Sequence, residues 1–140
     1  MTPFYSRQLK IEWGQCDPAG IVFAPRYLDM FAESTVRMFE WTGLPRKREM
    51  LREMNVIGYP LIDVSARFLR PTTYGDEVMI QTAAPVFGNS SFTVEHRLML
   101  DRTVCVECTE KRVWAGPDPE RAGGIRGVRV PDSIRALFGQ

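Results

Sequence analysis

The stretch Asp17-Pro18-Ala19-Gly20-Ile21-Val22-Phe23-Ala24-Pro25, running on through RYLDMFAESTVRMFEW to Thr42-Gly43-Leu44-Pro45, decides how the rest of the chain is read. From Pro25 onward the charges fall at Arg26, Asp29, Glu33, Arg37 and Glu40. Steps of three and four residues put them on one stripe of a helix. Leu28, Met30, Phe31, Met38, Phe39 and Trp41 form a wide apolar surface suited to burial, and Gly43 followed by Leu44-Pro45 supplies the stop. Pro25 fits the first helical position because it lacks the amide donor that would go unsatisfied there. Ala24 before it has no side chain able to cap, so the first amides of the helix need another acceptor.

That need gives the loop a chemical reading. A helix N-terminus offers amide donors and the positive end of the helix dipole, which suits a carbonyl oxygen gaining negative charge. Asp17, a few residues upstream, would attack an acyl carbon or activate a water while those amides hold the oxyanion. On residue types alone a plain Asx-turn is the more common use of such an Asp, with the Asp17 carboxylate closing on the Pro-Ala-Gly that follows.

Outward from this segment the pattern is strand-like. Phe4 to Trp13 reads as a first strand, and Arg46 to Asn55 as a short charged helix. Strands follow over Val56 to Leu69, Asp76 to Phe87, Ser91 to Leu100 and Thr103 to Trp114, with Asp101-Arg102 as a tight connection. Gly116 to Gly127 reads as a loop, with a short strand and a helical turn between Val128 and Phe138. One long helix and an antiparallel meander make an α+β arrangement in which the sheet buries the helix on one face.

With 140 residues the chain has room for one core, so residues 1–140 are read as a single domain. The net charge of +1 lacks the basic field that non-specific nucleic-acid binding uses. No run approaches the length of a membrane span, and Met1 to Lys10 lacks the apolar core of a secretory leader. The odd count of three cysteines, Cys16, Cys105 and Cys108, excludes a complete disulfide framework and favours a reducing cytoplasm. Cys105 and Cys108 are spaced as C-x-x-C, but in a strand, and no second ligand pair accompanies them, so no metal or cofactor is expected.

The run DPAGIVFAPRYLDMFAESTVRMFEWTGLP, residues 17 to 45, resembles the signature of the 4-hydroxybenzoyl-CoA thioesterase family of hotdog-fold enzymes. A weaker similarity continues through Gly58-Tyr59-Pro60, Val64 to Leu69, Tyr74-Gly75-Asp76 and Ser91-Phe92. The resemblance implies a sheet wrapped around one central helix. It also implies hydrolysis of an acyl-CoA to free acid and CoA, an aromatic acyl group, and a homodimer or homotetramer with active sites at the dimer interface. Asp17 matches the catalytic carboxylate, and the Ala24 amide matches the group that receives the thioester carbonyl.

Phe23, Tyr27 and Tyr59 are candidates to line an aromatic pocket; each suits an ordinary core equally well. Basic residues expected just before the Ser-Phe pair are absent from Phe87-Gly88-Asn89-Ser90. Arg70 and Arg126 are the leading candidates for the phosphates of coenzyme A, with Arg67, Arg112 and Arg129 behind them. The missing cluster leaves an acyl carrier protein as an alternative thiol carrier, and a non-catalytic thioester-binding protein as an alternative function. A hotdog hydratase would pair the carboxylate with a histidine, and the one histidine, His96, sits among apolar neighbours as a core residue does.

Overall fold

A computed structural model describes residues 1–140. Strand β1 (Pro3–Lys10) is followed by a short 3-10 turn (Trp13–Gln15), helix α1 (Ala24–Trp41) and helix α2 (Lys47–Met54). Then come β2 (Leu61–Phe68), β3 (Glu77–Ala83), β4 (Val86–Phe87), β5 (Ser91–Leu100) and β6 (Thr103–Val113). The two-stranded pair β7 (Ala115–Pro117) and β8 (Ile125–Gly127) and the short helix α3 (Asp132–Ala136) complete the chain. The main sheet is ordered β1-β3-β5-β6-β2, with β4 added on β5. No helix is long and apolar enough to cross a membrane.

Differences from the sequence reading have local causes. The first strand ends at Lys10, and the 3-10 turn that replaces its tail is closed by Glu12 N–H donating to Gln15 Oε1 at 2.8 Å. The second begins only at Leu61, after Gly58 at φ 141° and Pro60, which has no amide to donate. Pro85 likewise divides the expected Asp76 to Phe87 strand into β3 and β4. The Gly-rich loop carries a hairpin, Ala115 facing Gly127 and Pro117 facing Ile125, so the late strand lies at Ile125–Gly127, just ahead of Val128. Trp41 is not in the core: it lies on the polar stripe beside Arg37 and Glu40 and is 63% exposed.

The chain forms two compact units, one of Met1–Met38, Ser65–Ala84 and Glu95–Thr109, the other of Phe39–Val64, Pro85–Val94 and Glu110–Gln140. In the first, α1 buries Tyr27, Met30, Phe31, Ser34, Thr35 and Met38, the alternating three and four steps of a helix face. Arg26, Asp29, Glu33 and Arg37 point outward. Sheet residues Val78, Ile80, Leu98 and Val106 complete this core, with Ile80 facing Leu98 and Thr82 facing His96 in the β3/β5 register. His96 is a core residue as expected, its ring 5.2 Å from that of Phe31 and its two nitrogens 3.1 Å from Thr35 Oγ1 and 2.8 Å from Thr82 Oγ1.

Strand β1 clamps α1. Arg7 Nε donates to Ser34 Oγ at 2.7 Å, Nη2 donates to the Met30 carbonyl at 2.9 Å, and Nη1 pairs with Glu33 at 3.1 Å. Burial pulls the Arg7 pKa down, and Glu33 works against that pull. Glu33 also meets Arg37 at 3.6 Å, while Asp29 is offset by Arg26 at 3.1 Å, so the like-charged Asp29 and Glu33 each have a cation.

In the second unit Phe39, Tyr59, Phe92, Trp114 and Phe138 form an aromatic core, with Tyr59 stacked 4.8 Å from Phe39 and 6.2 Å from Trp114. Helix α1 stops there in a Schellman-type turn. Gly43 at φ 103° donates its amide to the Glu40 carbonyl, and Leu44 donates to that of Phe39.

Candidate active site

The loop before α1 is a small closed hairpin. Asp17 N–H donates to Ile21 O at 3.0 Å, Cys16 bridges Val22, and Phe23 N–H donates to Gln15 O at 2.9 Å. At its tip Gly20, at φ 84°, donates to the Asp17 carbonyl at 2.9 Å, and Ala19 N–H donates to Asp17 Oδ1 at 2.8 Å. The Asx-turn reading is therefore correct as local structure. It engages one carboxylate oxygen and leaves Oδ2 for a second task, so the turn and a chemical role are compatible. Asp17 is half-buried.

The hairpin is also fixed from outside. Val22 N–H donates to the Thr72 carbonyl at 2.9 Å, and Ile21 bridges Thr73. Thr73 N–H in turn donates to Asp76 Oδ2 at 2.9 Å. Asp17 thus sits on a hydrogen-bonded turn whose far strand runs directly into the helix.

Helix α1 begins at Ala24, one residue earlier than Pro25 suggests, so Phe23 occupies the capping position. A phenyl group accepts no amide, and the conclusion that no side chain caps this end carries over from Ala24 to Phe23. The Ala24 N–H is a first-turn donor without an intrahelical acceptor.

Against this helix start lies a cleft of about 280 Å³, lined by Ile21, Val22, Ala24, Tyr27, Phe68, Leu69, Arg70 and Pro71. The structure therefore brings Ala24, Tyr27 and Arg70 of the candidate set together. Phe23 is 49% exposed and sits at the mouth of the helix, outside that lining. Arg70 and Pro71 also border a neighbouring cleft of about 380 Å³ with Leu100, Asp101, Thr103 and Cys105, so Arg70 borders both hollows. Phe68 and Leu69, 52% and 47% exposed, escaped the sequence reading because a strand terminus rich in apolar groups looks like core.

Tyr59 and Arg126 belong to the other unit. Tyr59 is 2% exposed, and the Lys47 ammonium lies 4.8 Å from its ring centre. Burial raises the Tyr59 phenol pKa well above the usual range, and the nearby Arg112 charge only partly opposes it. Burial likewise lowers the Lys47 pKa. Arg126 is exposed on β8, opposite Gly116. Arg112 is excluded as a surface phosphate ligand, being buried against Glu110, and Arg129 pairs with Asp132 at 3.2 Å. Arg67 lines a separate cavity of about 340 Å³ with Ser65, Glu95, Arg97 and Glu107.

A cation does reach Phe87-Gly88-Asn89-Ser90, from a place the sequence did not suggest. Arg135 of α3 lies 5.5 Å from the Phe87 ring centre and donates through Nη2 to the carbonyls of Gly88 and Asn89 at 2.6 and 3.1 Å. No cluster of three or more His, Cys, Asp or Glu side chains is placed to hold a metal ion. All three cysteines are free thiols, and burial raises the Cys105 pKa.

A carboxylate on a turn, an uncapped helix start and an apolar cleft beside it form an arrangement suited to acyl transfer, and comparison with known proteins gives it a family. Residues 11–138 match the model of the thioesterase-like superfamily. The chain belongs to that superfamily. It is 32% identical over 129 residues to 4-hydroxybenzoyl-CoA thioesterase of Pseudomonas sp. (strain CBS-3), covering 89% of each chain. The structure of that thioesterase superposes with a TM-score of 0.88 at 30% identity, over 97% of this chain and 99% of the other. A D17N mutant of 4-hydroxybenzoyl-CoA thioesterase complexed with 4-hydroxybenzoyl-CoA matches with a TM-score of 0.88 at 29% identity, over 96% and 98% of the two chains. A gentisyl-coenzyme A thioesterase gives a TM-score of 0.79 at 27% identity, over 94% and 99%. The fold is the hotdog of these thioesterases, an antiparallel sheet with a helix packed on it, and the chain is a thioester hydrolase of the acyl-CoA thioesterase kind.

Proposed function

We propose that this enzyme hydrolyses an aromatic acyl-CoA of the 4-hydroxybenzoyl type to the free acid and CoA, as one hotdog domain working in the cytoplasm. The observation that carries the reading is the closed hairpin that ties the Asp17 turn to the start of α1. Asp17 attacks the thioester carbonyl or takes a proton from the attacking water. In the first route the CoA thiolate leaves an aspartyl anhydride that water then opens; in the second, water adds directly and the thiolate departs. In both, the Ala24 amide and the first turn of α1 receive the carbonyl oxygen as it gains negative charge. Capture of substrate by the D17N form of a relative supports giving the carboxylate the reacting role.

The apolar cleft with Tyr27 and Phe68 suits an aromatic ring, and the aromatic acyl groups named for two relatives support that choice. Arg70 beside the cleft is assigned to the CoA phosphates; Arg126, exposed on β8, is the second unit's own candidate. Phe23 forms the mouth, and Tyr59 supports the second unit's aromatic core. Homodimers, or tetramers built from them, form through β2. It is an outer strand of the sheet, pairing only with β6, and exposes Leu61, Ile62 and Phe68.

The test is thiol release from a panel of aromatic and aliphatic acyl-CoAs, and of the matching acyl-carrier-protein thioesters, by the native protein and by Asp17→Asn. A loss on the order of a hundredfold or more in kcat is expected for the variant, with aromatic substrates preferred by the native enzyme. Equal rates would remove Asp17 from the mechanism, and turnover confined to acyl-carrier-protein substrates would replace CoA as the carrier.

A further inference from the structure

Tyr27 is the one cleft-lining residue whose polar atom faces away from solvent into a complete hydrogen-bond pair. Its side chain is buried, 3% exposed, and its ring centre lies 5.9 Å from that of Phe68. Tyr27 Oη and Thr72 Oγ1 are 2.7 Å apart, and Thr72 N–H donates to the same Oη at 3.1 Å. Thr72 is fully buried, and its carbonyl accepts the Val22 amide at 2.9 Å. Val22 follows Ile21, whose carbonyl accepts the amide of Asp17 at 3.0 Å.

A continuous path of hydrogen bonds therefore runs from the first turn of α1 through Thr72 to the turn that carries Asp17. Its two ends are the Tyr27 hydroxyl, three residues along α1 from Ala24, and the backbone amide of Asp17. Tyr27 lies one turn into the same helix as Ala24, so fixing its hydroxyl fixes the height of the helix start against the hairpin. Reacting groups held within a few tenths of an ångström gain most of the advantage of proximity, and a small misplacement is costly in rate.

We infer that Tyr27 and Thr72 are positioning residues that set the Asp17 carboxylate relative to the α1 N-terminus, while the Tyr27 ring serves as a wall of the acyl cleft. The inference rests on the proposed role of Asp17. The two functions of Tyr27 are separable because they use different parts of the side chain. Removing the hydroxyl leaves the wall in place and releases the register, so kcat falls while KM stays near its native value. Filling or deleting the ring alters the wall and moves KM as well.

The experiment is a double-mutant cycle on kcat in acyl-CoA hydrolysis, combining Tyr27→Phe with Asp17→Asn, with thermal unfolding recorded for each protein. Tyr27→Phe is expected to lower kcat by about tenfold or more, with KM changed less than about threefold, and to add little once Asp17 is Asn. Thr72→Ser, which keeps the hydroxyl, should be near native in kcat, whereas Thr72→Val should follow Tyr27→Phe. An equal loss from Tyr27→Phe in both backgrounds would overturn the assignment, because the tyrosine would then act without reference to the carboxylate. An inactive Asp17→Asn beside a fully active Tyr27→Phe overturns the positioning role alone. An Asp17→Asn with native activity overturns the proposed mechanism and the positioning role together.

Discussion

Arg112 Nη2 lies 2.7 Å from Glu110 Oε2, two positions along β6 and therefore on the same face of the strand, and the two side chains are 6% and 2% exposed. Arg112 Nε also donates to Glu110 Oε1 at 3.3 Å, and Nη1 to the Tyr59 carbonyl at 3.1 Å. Every nitrogen of the guanidinium is thus committed inside the second unit. An arginine in this state anchors the Gly58-Tyr59-Pro60 segment, and its burial keeps it from a phosphate in solvent.

Replacing Arg112 with Met would strand the Glu110 charge. The expected loss is about 3 to 5 kcal/mol of stability, whereas Glu110→Leu together with Arg112→Met should cost much less because no uncompensated charge remains. Urea unfolding of the two variants makes the comparison. A folded Arg112→Met protein of native stability whose KM for acyl-CoA rises would show instead that the guanidinium serves the substrate.

Ala24 gives a clean substitution at the helix start. Proline is well accommodated at the first helical position and removes only the amide hydrogen there. Ala24→Pro is therefore expected to keep the fold and lower kcat by roughly 10²- to 10³-fold, the usual effect of losing one oxyanion donor. Circular dichroism would check the helix and steady-state kinetics the rate. Unchanged turnover would move the oxyanion site off this amide.

The long helix, the Ser91–Leu100 strand and the Asp101-Arg102 turn were legible because each depends on local chemistry: a spacing of three and four, an alternation of two, and an aspartate that tolerates φ 54°. The placement of Asp17 and Ala24 was legible for the same reason, both lying within one loop and helix start. What the sequence concealed depends on distant partners. Thr72 has no motif of its own, and its importance comes from a tyrosine 45 residues away. Arg112 reads as a free cation until Glu110 and Tyr59 are seen around it. Arg135 lies 46 residues from the Asn89 carbonyl to which it donates. The β7/β8 hairpin was hidden by glycine and proline, residues that mark turns more strongly than short strands.

Strand β2 supplies the last prediction. Its outer edge presents a row of backbone donors and acceptors alongside exposed Leu61 and Ile62, 43% and 56% accessible, and Phe68 at the far end. An apolar edge of this kind pairs readily with another strand unless something blunts or covers it. The opposite edge, β1, is different in character: it starts with Pro3 and carries Arg7 and Lys10. Self-association through β2 would bury the apolar edge and continue the sheet across two copies. A charge placed there, as in Ile62→Lys, is expected to leave the protein folded and monomeric at micromolar concentration where the native protein runs as the proposed oligomer. Light scattering after size-exclusion chromatography would measure the mass, and the same fractions would be assayed for thioester hydrolysis. Loss of both mass and activity would assign the interface to β2 and make the site dependent on it. An oligomer of unchanged mass would place the interface elsewhere.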